Sequence, residues 1–142
     1  MEKYMKIALK EAKKAYKKGE IPVGAVVVYK EKIVARAYNT KENKKLSTAH
    51  AEIIAINKAS RKLKNWRLND CKLYVTLEPC MMCAGAIIQS RISTVVFGTK
   101  NNNSGYSTIL KENGIEVIEN IYQENCQKLL QQFFIEKRNQ NL

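Results

Sequence analysis

The 142-residue sequence has few prolines, glycines and histidines: two, six and one. Such low contents argue against a disordered or fibrous chain. Long apolar runs are also missing, because the longest, around Val23 to Tyr29, is far shorter than the ~20 residues that cross a bilayer. The first four residues, Met1 to Tyr4, do not have the pattern of a signal peptide. We therefore expect one globular domain over residues 1–142, in the cytoplasm and without a membrane partner.

Acidic residues are scarce relative to basic ones. Lys and Arg number 25 against 13 Asp and Glu, which gives a formal charge of +12. A charge this large on a small domain favours a polyanionic partner, because each neutralised phosphate releases counterions. A general lysine bias of the organism would give the same composition, so charge alone does not decide the partner.

Apolar periodicity predicts an α/β fold with a mixed sheet and helices on both faces. The predicted strands are Ala25 to Tyr29, Ile33 to Tyr38, Leu73 to Thr76, Val95 to Phe97 and Ile115 to Ile118. The predicted helices are Met5 to Tyr16, Thr48 to Leu63, Cys80 to Ser90 and Glu124 to Lys137, with polar loops at Asn39 to Ser47 and Asn101 to Gly105. In such three-layer folds ligands bind where strands end and helices begin.

Three residues have the chemistry of metal ligands. His50 is the only histidine, and Cys80 and Cys83 form a Cys-x-x-Cys pair. Taken alone, the histidine is more often structural, and the cysteines are compatible with a zinc half-site, a redox pair or core thiols. Each segment, however, opens a predicted helix, and residues three apart share one helix face. Together they predict one metal site.

Three protein ligands leave one tetrahedral position open, which is typical of catalytic zinc. Glu52 lies two residues after His50, so we expect it to flank that position as a proton shuttle rather than to bind the metal. The alternative for Glu52 is an acid that complements the helix dipole. The combination His50-Ala51-Glu52 and Pro79-Cys80-Met81-Met82-Cys83 matches the H-x-E and P-C-x-x-C signature of zinc-dependent nucleobase deaminases.

Beyond this signature, the chain resembles the bacterial tRNA-specific adenosine deaminases over nearly its whole length. The matching segments are Ile21 to Val26, Thr48 to Ile53, Leu73 to Cys80, Cys83 to Ala86, Ser90 to Ile92 and Val95 to Gly98. The metal motif itself is shared with cytidine, guanine, deoxycytidylate and riboflavin-pathway deaminases. The segments on either side of the cysteine motif, Thr76 to Pro79 and Ala84 to Ala86, favour the tRNA-specific adenosine deaminases among these families.

The resemblance implies a three-layer α/β/α cytidine-deaminase-like fold with a mixed five-stranded sheet, and a homodimer with one Zn²⁺ per subunit. The implied reaction is hydrolytic deamination of adenosine to inosine at the wobble position of a tRNA anticodon, with arginine tRNA (ACG) the usual bacterial substrate. Water adds to carbon 6 of adenine while Glu52 moves the protons. The implied metal ligands are His50, Cys80 and Cys83.

The resemblance also implies contacts with an anticodon stem-loop. Asn39 matches the position that holds the base, although a turn or helix-start role is its alternative. The remaining implied contacts are Ile21, Val23, Ala51 and Leu77 at the base, and Lys100, Asn101, Phe134 and Arg138 elsewhere on the anticodon loop. For Ile21, Val23 and Leu77 the alternative is ordinary packing in the core. For Arg138 the alternative is a side chain that is merely solvated.

The chain departs from the family pattern at Asn101, where many members carry an acid. A neutral amide there alters the contact with the 2′-hydroxyl that separates RNA from DNA, so we expect weaker discrimination against a deoxy target. The stretch from Thr108 to Glu119 is also shorter than in many members, and the pair Ile135-Glu136 replaces a more basic sequence.

Three other functions fit parts of the pattern. A free-base guanine or cytosine deaminase would use the same scaffold but would need no +12 charge. A non-catalytic zinc module that binds RNA would need no Glu52. A thiol redox protein would need Cys80 and Cys83 to be freely accessible. Cys71 and Cys126 belong to no motif and are expected to be buried free thiols.

Overall fold

The computed structural model describes residues 1–140, in which five strands form one mixed sheet. In chain order the elements are α1 (Glu2–Lys17), β1 (Gly24–Tyr29), β2 (Lys32–Tyr38), α2 (Lys41–Lys44), α3 (Ala51–Leu63), β3 (Cys71–Leu77), α4 (Met81–Gln89), β4 (Thr94–Thr99), α5 (Ser107–Glu112), β5 (Glu116–Ile118) and α6 (Gln123–Gln140). The strand order is β2-β1-β3-β4-β5, with β1 antiparallel to β2 and β3, and with β3, β4 and β5 parallel. The predicted α/β architecture is confirmed.

Strand β1 lies between two hydrophobic cores. Ala25 and Val27 pack in the core that contains α3 and α4, and Val26 and Val28 pack in the core that contains α1 and Cys126 of α6. Side chains alternate between the faces of a strand, so a strand covered on both faces needs apolar residues at every position. The β-branched run of the sequence reflects this double burial.

Helix α1 approaches the start of β1 at Gly24. A Cβ atom at this position would lie 2.5 Å from the amide nitrogen of Ala12 and would also clash with the carbonyl oxygen of Ala8. Only glycine allows this approach. The contact fixes where the preceding segment, Glu20 to Val23, enters the sheet.

The functional residues collect at one edge of the sheet. Gly24 at the start of β1 pairs with Tyr38 at the end of β2, and Ala25 pairs with Val75 near the end of β3. Strand β4 runs parallel to β3 and ends at Thr99. The segments beyond these strand ends therefore lie side by side, at the edge where α/β proteins bind ligands.

The structure differs from the sequence prediction in two short helices. The predicted loop Asn39 to Ser47 contains α2, which has no buried residue, and the predicted connection before β5 contains α5. Both helices are too short to show apolar periodicity. The apolar sequence of α4, with two methionines, two isoleucines and two alanines, favours a buried helix, but α4 is partly open because Met81 is 66% exposed. Among residues 1–140 no helix is long and apolar enough to span a membrane.

Candidate active site

His50 and Cys80 occupy equivalent positions in the fold. Each is the residue before the first turn of a helix, His50 for α3 and Cys80 for α4, and each has an extended backbone. Their carbonyl groups accept the first helical hydrogen bonds, from Ile54 and Ala84. Cys83, one turn into α4, has no exposed surface. The predicted helix starts thus bring all three side chains together.

The ligand atoms of His50, Cys80 and Cys83 lie within 4.8 Å of one another. The Nδ1 atom of His50 is 3.6 Å from the Sγ atom of Cys80 and 3.5 Å from that of Cys83. Zinc bond lengths of about 2.3 Å to sulfur and 2.0–2.1 Å to nitrogen, at tetrahedral angles, put these atoms about 3.6 Å apart. The two sulfurs and one nitrogen therefore fit zinc in spacing as well as in chemistry.

The electrostatics of the cluster also favour a cation. Hydrogen bonds with Cys83 and His50 lower the pKa of the Cys80 thiol to about 3. The pKa of Cys83 is raised, first by its hydrogen bond with Cys80 and then by burial. The start of α4 places its positive dipole end beside the thiolate, which stabilises it further.

Glu52 lies in the first turn of α3 and is only 4% exposed. Burial raises the pKa of its carboxyl group to about 7, partly opposed by its own backbone amide and by His50. A carboxyl group with a pKa near neutrality is suited to take up and return a proton. Glu52 also occupies the first turn of α3, as the alternative of an acid that complements the helix dipole requires, so its position is compatible with both roles.

A cavity of about 600 Å³ opens beside the cluster. Its lining includes His50, Glu52 and Cys80 from the metal region and Phe133 from α6. The walls combine apolar side chains with a few polar groups, as is usual for small-ligand sites. The predicted substrate residues that line this cavity are Ile21, Val23, Asn39, Ala51, Leu77, Asn101 and Phe134.

The side chain of Asn39 has two partners within the protein. Its Nδ2 atom donates to the carbonyl oxygen of Ile21 (3.2 Å), and its Oδ1 atom accepts from the backbone amide of Lys41 (3.1 Å). The turn role considered for Asn39 is thus present in the structure. A second N–H and a second lone pair remain for a ligand, so the turn fixes the orientation in which Asn39 faces the cavity.

Lys100 and Arg138 line a neighbouring groove instead of the cavity itself. This groove measures about 770 Å³ and lies between the Thr99–Asn102 segment and one face of α6. Phe134 lines both the groove and the cavity and is 46% exposed. The two depressions therefore adjoin at Phe134.

Comparison with known proteins agrees with this geometry. The sequence profile of the MafB19-like deaminases matches residues 1–141. The chain is 47% identical over 145 aligned residues to the tRNA-specific adenosine deaminase of Bacillus subtilis (strain 168), and the alignment covers 96% of this chain and 90% of that protein. This chain belongs to the tRNA-specific adenosine deaminase family.

Solved structures support the same placement. A structure from studies of A-to-I editing by tRNA A34 deaminases at the wobble position is 33% identical, has a TM-score of 0.85, and covers 90% of this chain and 99% of its own. The cytidine-deaminase-like fold is therefore confirmed. A guanine deaminase from Bacillus subtilis is 36% identical, with a TM-score of 0.69, over 78% of this chain and 74% of its own.

Several residues that line the cavity of this tRNA-specific adenosine deaminase were not among the predicted site residues. These are Gly19, Glu20, Lys41, Glu42, Glu78, Ser104, Phe133 and Lys137. Phe133 is 6% exposed, packs edge-on against Tyr16 at 5.9 Å between ring centroids, and still lines the cavity. A local pattern of apolar residues does not show that α6 closes the cavity, so this position of Phe133 could not be predicted.

Proposed function

We propose that this protein converts adenosine to inosine at the wobble position of a tRNA anticodon, with release of ammonia. The observation that carries the proposal is the cavity in which Glu52 lies beside the cluster of His50, Cys80 and Cys83. The related Bacillus subtilis protein is a tRNA-specific adenosine deaminase, which supports the same substrate. Arginine tRNA with an ACG anticodon is the proposed species, and a tRNA substrate is consistent with the cytoplasmic location expected from the sequence.

His50, Cys80 and Cys83 would hold one zinc ion per subunit, which when bound supplies Lewis-acid activation of water. Glu52 accepts the proton that the attacking water loses as its oxygen bonds to carbon 6 of adenine. Glu52 passes this proton to the ring nitrogen. It then takes the second proton from the new hydroxyl group at carbon 6 and gives it to the leaving amine, so that adenosine and water yield inosine and ammonia. Its pKa of about 7 equips it for both directions of transfer.

The cavity would hold the flipped base between apolar walls. Val23 is 8% exposed and Ala51 is fully buried, so both present fixed surfaces to the ring. Ile21 is 37% exposed and lies nearer the mouth of the cavity. Asn39 is the group we assign to a polar edge of the base, and Leu77 completes the apolar lining.

The groove beside the cavity would hold the rest of the anticodon loop. Lys100 and Arg138 supply positive charge for the phosphate backbone, and the exposed ring of Phe134 offers a stacking surface at the junction with the cavity. Single-stranded RNA is bound by this combination of cations and aromatic rings. Asn101, which lines the cavity, is proposed to face the ribose of the target nucleotide.

We further propose that the protein is a homodimer in which α4 contributes to the interface. Met81 is the most exposed large apolar side chain among those described, and Met82, Ala86 and Ile88 of the same helix are half-buried. Sedimentation should show a dimer for the wild type and a monomer for Met81→Lys, because a buried lysine is costly. Ile109→Lys on α5 is the matched control and should remain a dimer; a dimeric Met81→Lys would contradict the assignment.

Inosine formation in an ACG anticodon stem-loop of arginine tRNA tests the proposed reaction directly. We expect inosine at the wobble position with the zinc-loaded wild type, and a loss of about 10²–10⁴-fold with Glu52→Ala, because general acid–base catalysis is worth that much. The variant should bind zinc as the wild type does. Ammonia release from free guanine or cytosine, without inosine in the stem-loop, would instead favour a free-base deaminase.

A further inference from the structure

We propose that Glu20 and Glu78, two buried carboxylates outside the metal cluster, are positioning residues that hold two segments of the cavity wall in place for RNA. Glu20 fixes α2, and Glu78 fixes the loop from Asn101 to Ser107. The inference rests on the proposed function, because it names groups that shape the proposed RNA site. Neither residue touches the reacting atoms.

Glu20 has no exposed surface. Its carboxylate accepts hydrogen bonds from the backbone amides of Glu42 (3.0 Å) and Asn43 (2.7 Å) and from the side-chain amide of Asn43 (2.6 Å). These donors belong to α2, a helix without a buried residue of its own. Because α2 contributes nothing to the apolar core, its position depends on polar contacts. Glu20 accepts three of these hydrogen bonds, and Asn39 and the carbonyl oxygen of Lys18 accept one each.

Glu78 performs the same task on the other segment. It is 8% exposed, and its carboxylate accepts from the backbone amides of Asn101 (3.1 Å) and Ser107 (3.0 Å) and from the Ser107 hydroxyl group. Gly105 lies directly against this carboxylate, where a Cβ atom would be only 2.8 Å from Oε2. The loop thus wraps around Glu78.

Within residues 1–140 neither carboxylate forms an ion pair. Three ion pairs occur among residues 1–140, and they involve Glu11, Glu42 and Glu119. Both carboxylates instead accept hydrogen bonds from backbone amides and from one neutral side chain each, Asn43 for Glu20 and Ser107 for Glu78, so neither is paired with a lysine. Lys41 and Lys100 each directly precede an anchored residue. Their exposed side chains pair with Glu42 (3.8 Å) and Glu119 (3.9 Å) at the surface, and such exposed pairs are weak enough for a lysine to turn toward phosphate.

Substitution by glutamine tests each anchor. Glutamine keeps one acceptor oxygen but places an NH₂ donor against backbone N–H groups, so at least one hydrogen bond is lost. Glu11→Gln is the matched control, because Glu11 is also a buried carboxylate (4% exposed) but lies on α1, paired with Lys14 and outside the cavity. We expect all three variants to lose a few degrees in Tm and to retain zinc.

The decisive readouts are amide hydrogen exchange and stem-loop binding by fluorescence anisotropy, the latter in the Glu52→Ala background so that turnover does not interfere. Glu20→Gln should exchange faster at Glu42 and Asn43, and Glu78→Gln at Asn101 and Ser107. Both should bind the ACG stem-loop about tenfold more weakly, as expected when a binding surface is misplaced, while Glu11→Gln binds normally. In the active background KM should rise by the same factor with kcat within about threefold.

Equal affinity of all variants, or an equal loss in Glu11→Gln, would overturn the inference and leave the proposed reaction untouched. A wild type that binds the stem-loop but forms no inosine would overturn the proposed reaction; the tenfold weaker binding would then still support the two anchors. Failure of the wild type to bind the stem-loop at all would overturn both.

Discussion

Replacement of Gly105 by alanine should destabilise the protein through a single neighbour, Glu78. Gly105 does not have a positive φ, so alanine can adopt its backbone conformation without strain. The added Cβ atom would, however, overlap the carboxylate of Glu78, which must then move. Since Glu78 is buried and accepts hydrogen bonds from Asn101 and Ser107, its displacement breaks at least one of these bonds.

The expected cost follows from the charge on the acceptor. A hydrogen bond to an ionised group contributes about 1.5–3 kcal/mol, so the loss of one such bond lowers the free energy of unfolding by about 2 kcal/mol. For a chain of this length that corresponds to a fall in Tm of about 6 °C. Denaturant unfolding and calorimetry of the zinc-loaded protein measure both quantities.

A double-mutant cycle isolates the cause. In the Glu78→Ala background no carboxylate is present to be displaced, so Gly105→Ala should then cost less than about 0.5 kcal/mol. An unchanged Tm for Gly105→Ala would show that the added Cβ atom does not displace the Glu78 carboxylate. An equal loss of stability in both backgrounds would show that the destabilisation arises elsewhere than at Glu78.

Three further predictions concern single groups. Although burial opposes it, hydrogen bonds from α2 hold the pKa of Glu20 below its ordinary value of 4.5. The stabilisation by the Glu20 carboxylate is therefore present above pH 4.5 and is lost as the pH falls through the folded-state pKa. The difference in unfolding free energy between the wild type and Glu20→Gln should shrink below about pH 4.5, and a constant difference would contradict this. Burial raises the pKa of Cys71 to about 11 and of Cys126 to about 12, so iodoacetamide at pH 8 should label neither thiol. After chelation of zinc, mass spectrometry should find Cys80 labelled first, because its pKa is low. Early labelling of Cys126 would show that its thiol is not protected by burial. A stem-loop with one 2′-deoxyadenosine at the target should be disfavoured less by the wild type than by Asn101→Asp, and an equal ratio of rates in the two proteins would refute a role for Asn101 in sugar discrimination.

The metal cluster could be predicted because its signal is local. Cys80 and Cys83 are three residues apart on one helix, and His50 and Glu52 open another, so each half of the site is encoded within four residues. Only the meeting of the two halves needs the fold. The parallel arrangement of β3 and β4 supplies it, since α4 connects them and begins at the edge where Asn39 and Glu20 also lie.

The two anchoring carboxylates could not be predicted, because their signal is not local. Glu20 bonds to residues 22 and 23 positions later, and Glu78 to residues 23 and 29 positions later. In the sequence each is one acid among many, with no motif to mark its burial. Helix α2 was missed for the same reason, since a distant carboxylate rather than an apolar face fixes it.

The distribution of charge gives the +12 excess a specific meaning. The carboxylates Glu20, Glu52 and Glu78 all line the cavity, so the chemical site itself is not a basic pocket. Lys41 and Lys137 also line the cavity but are outnumbered there by carboxylates, whereas Lys100 and Arg138 line the adjoining groove, which has no acidic residue in its lining among residues 1–140. We therefore propose that attraction to phosphate acts mainly in this groove, while the carboxylates inside the cavity serve proton transfer and the shape of its wall. The adenine base carries no charge, so the carboxylates that line the cavity would not repel it, whereas they would repel a phosphate group of the RNA backbone. This arrangement suits a site that accepts one base of a polyanionic RNA and excludes its phosphates.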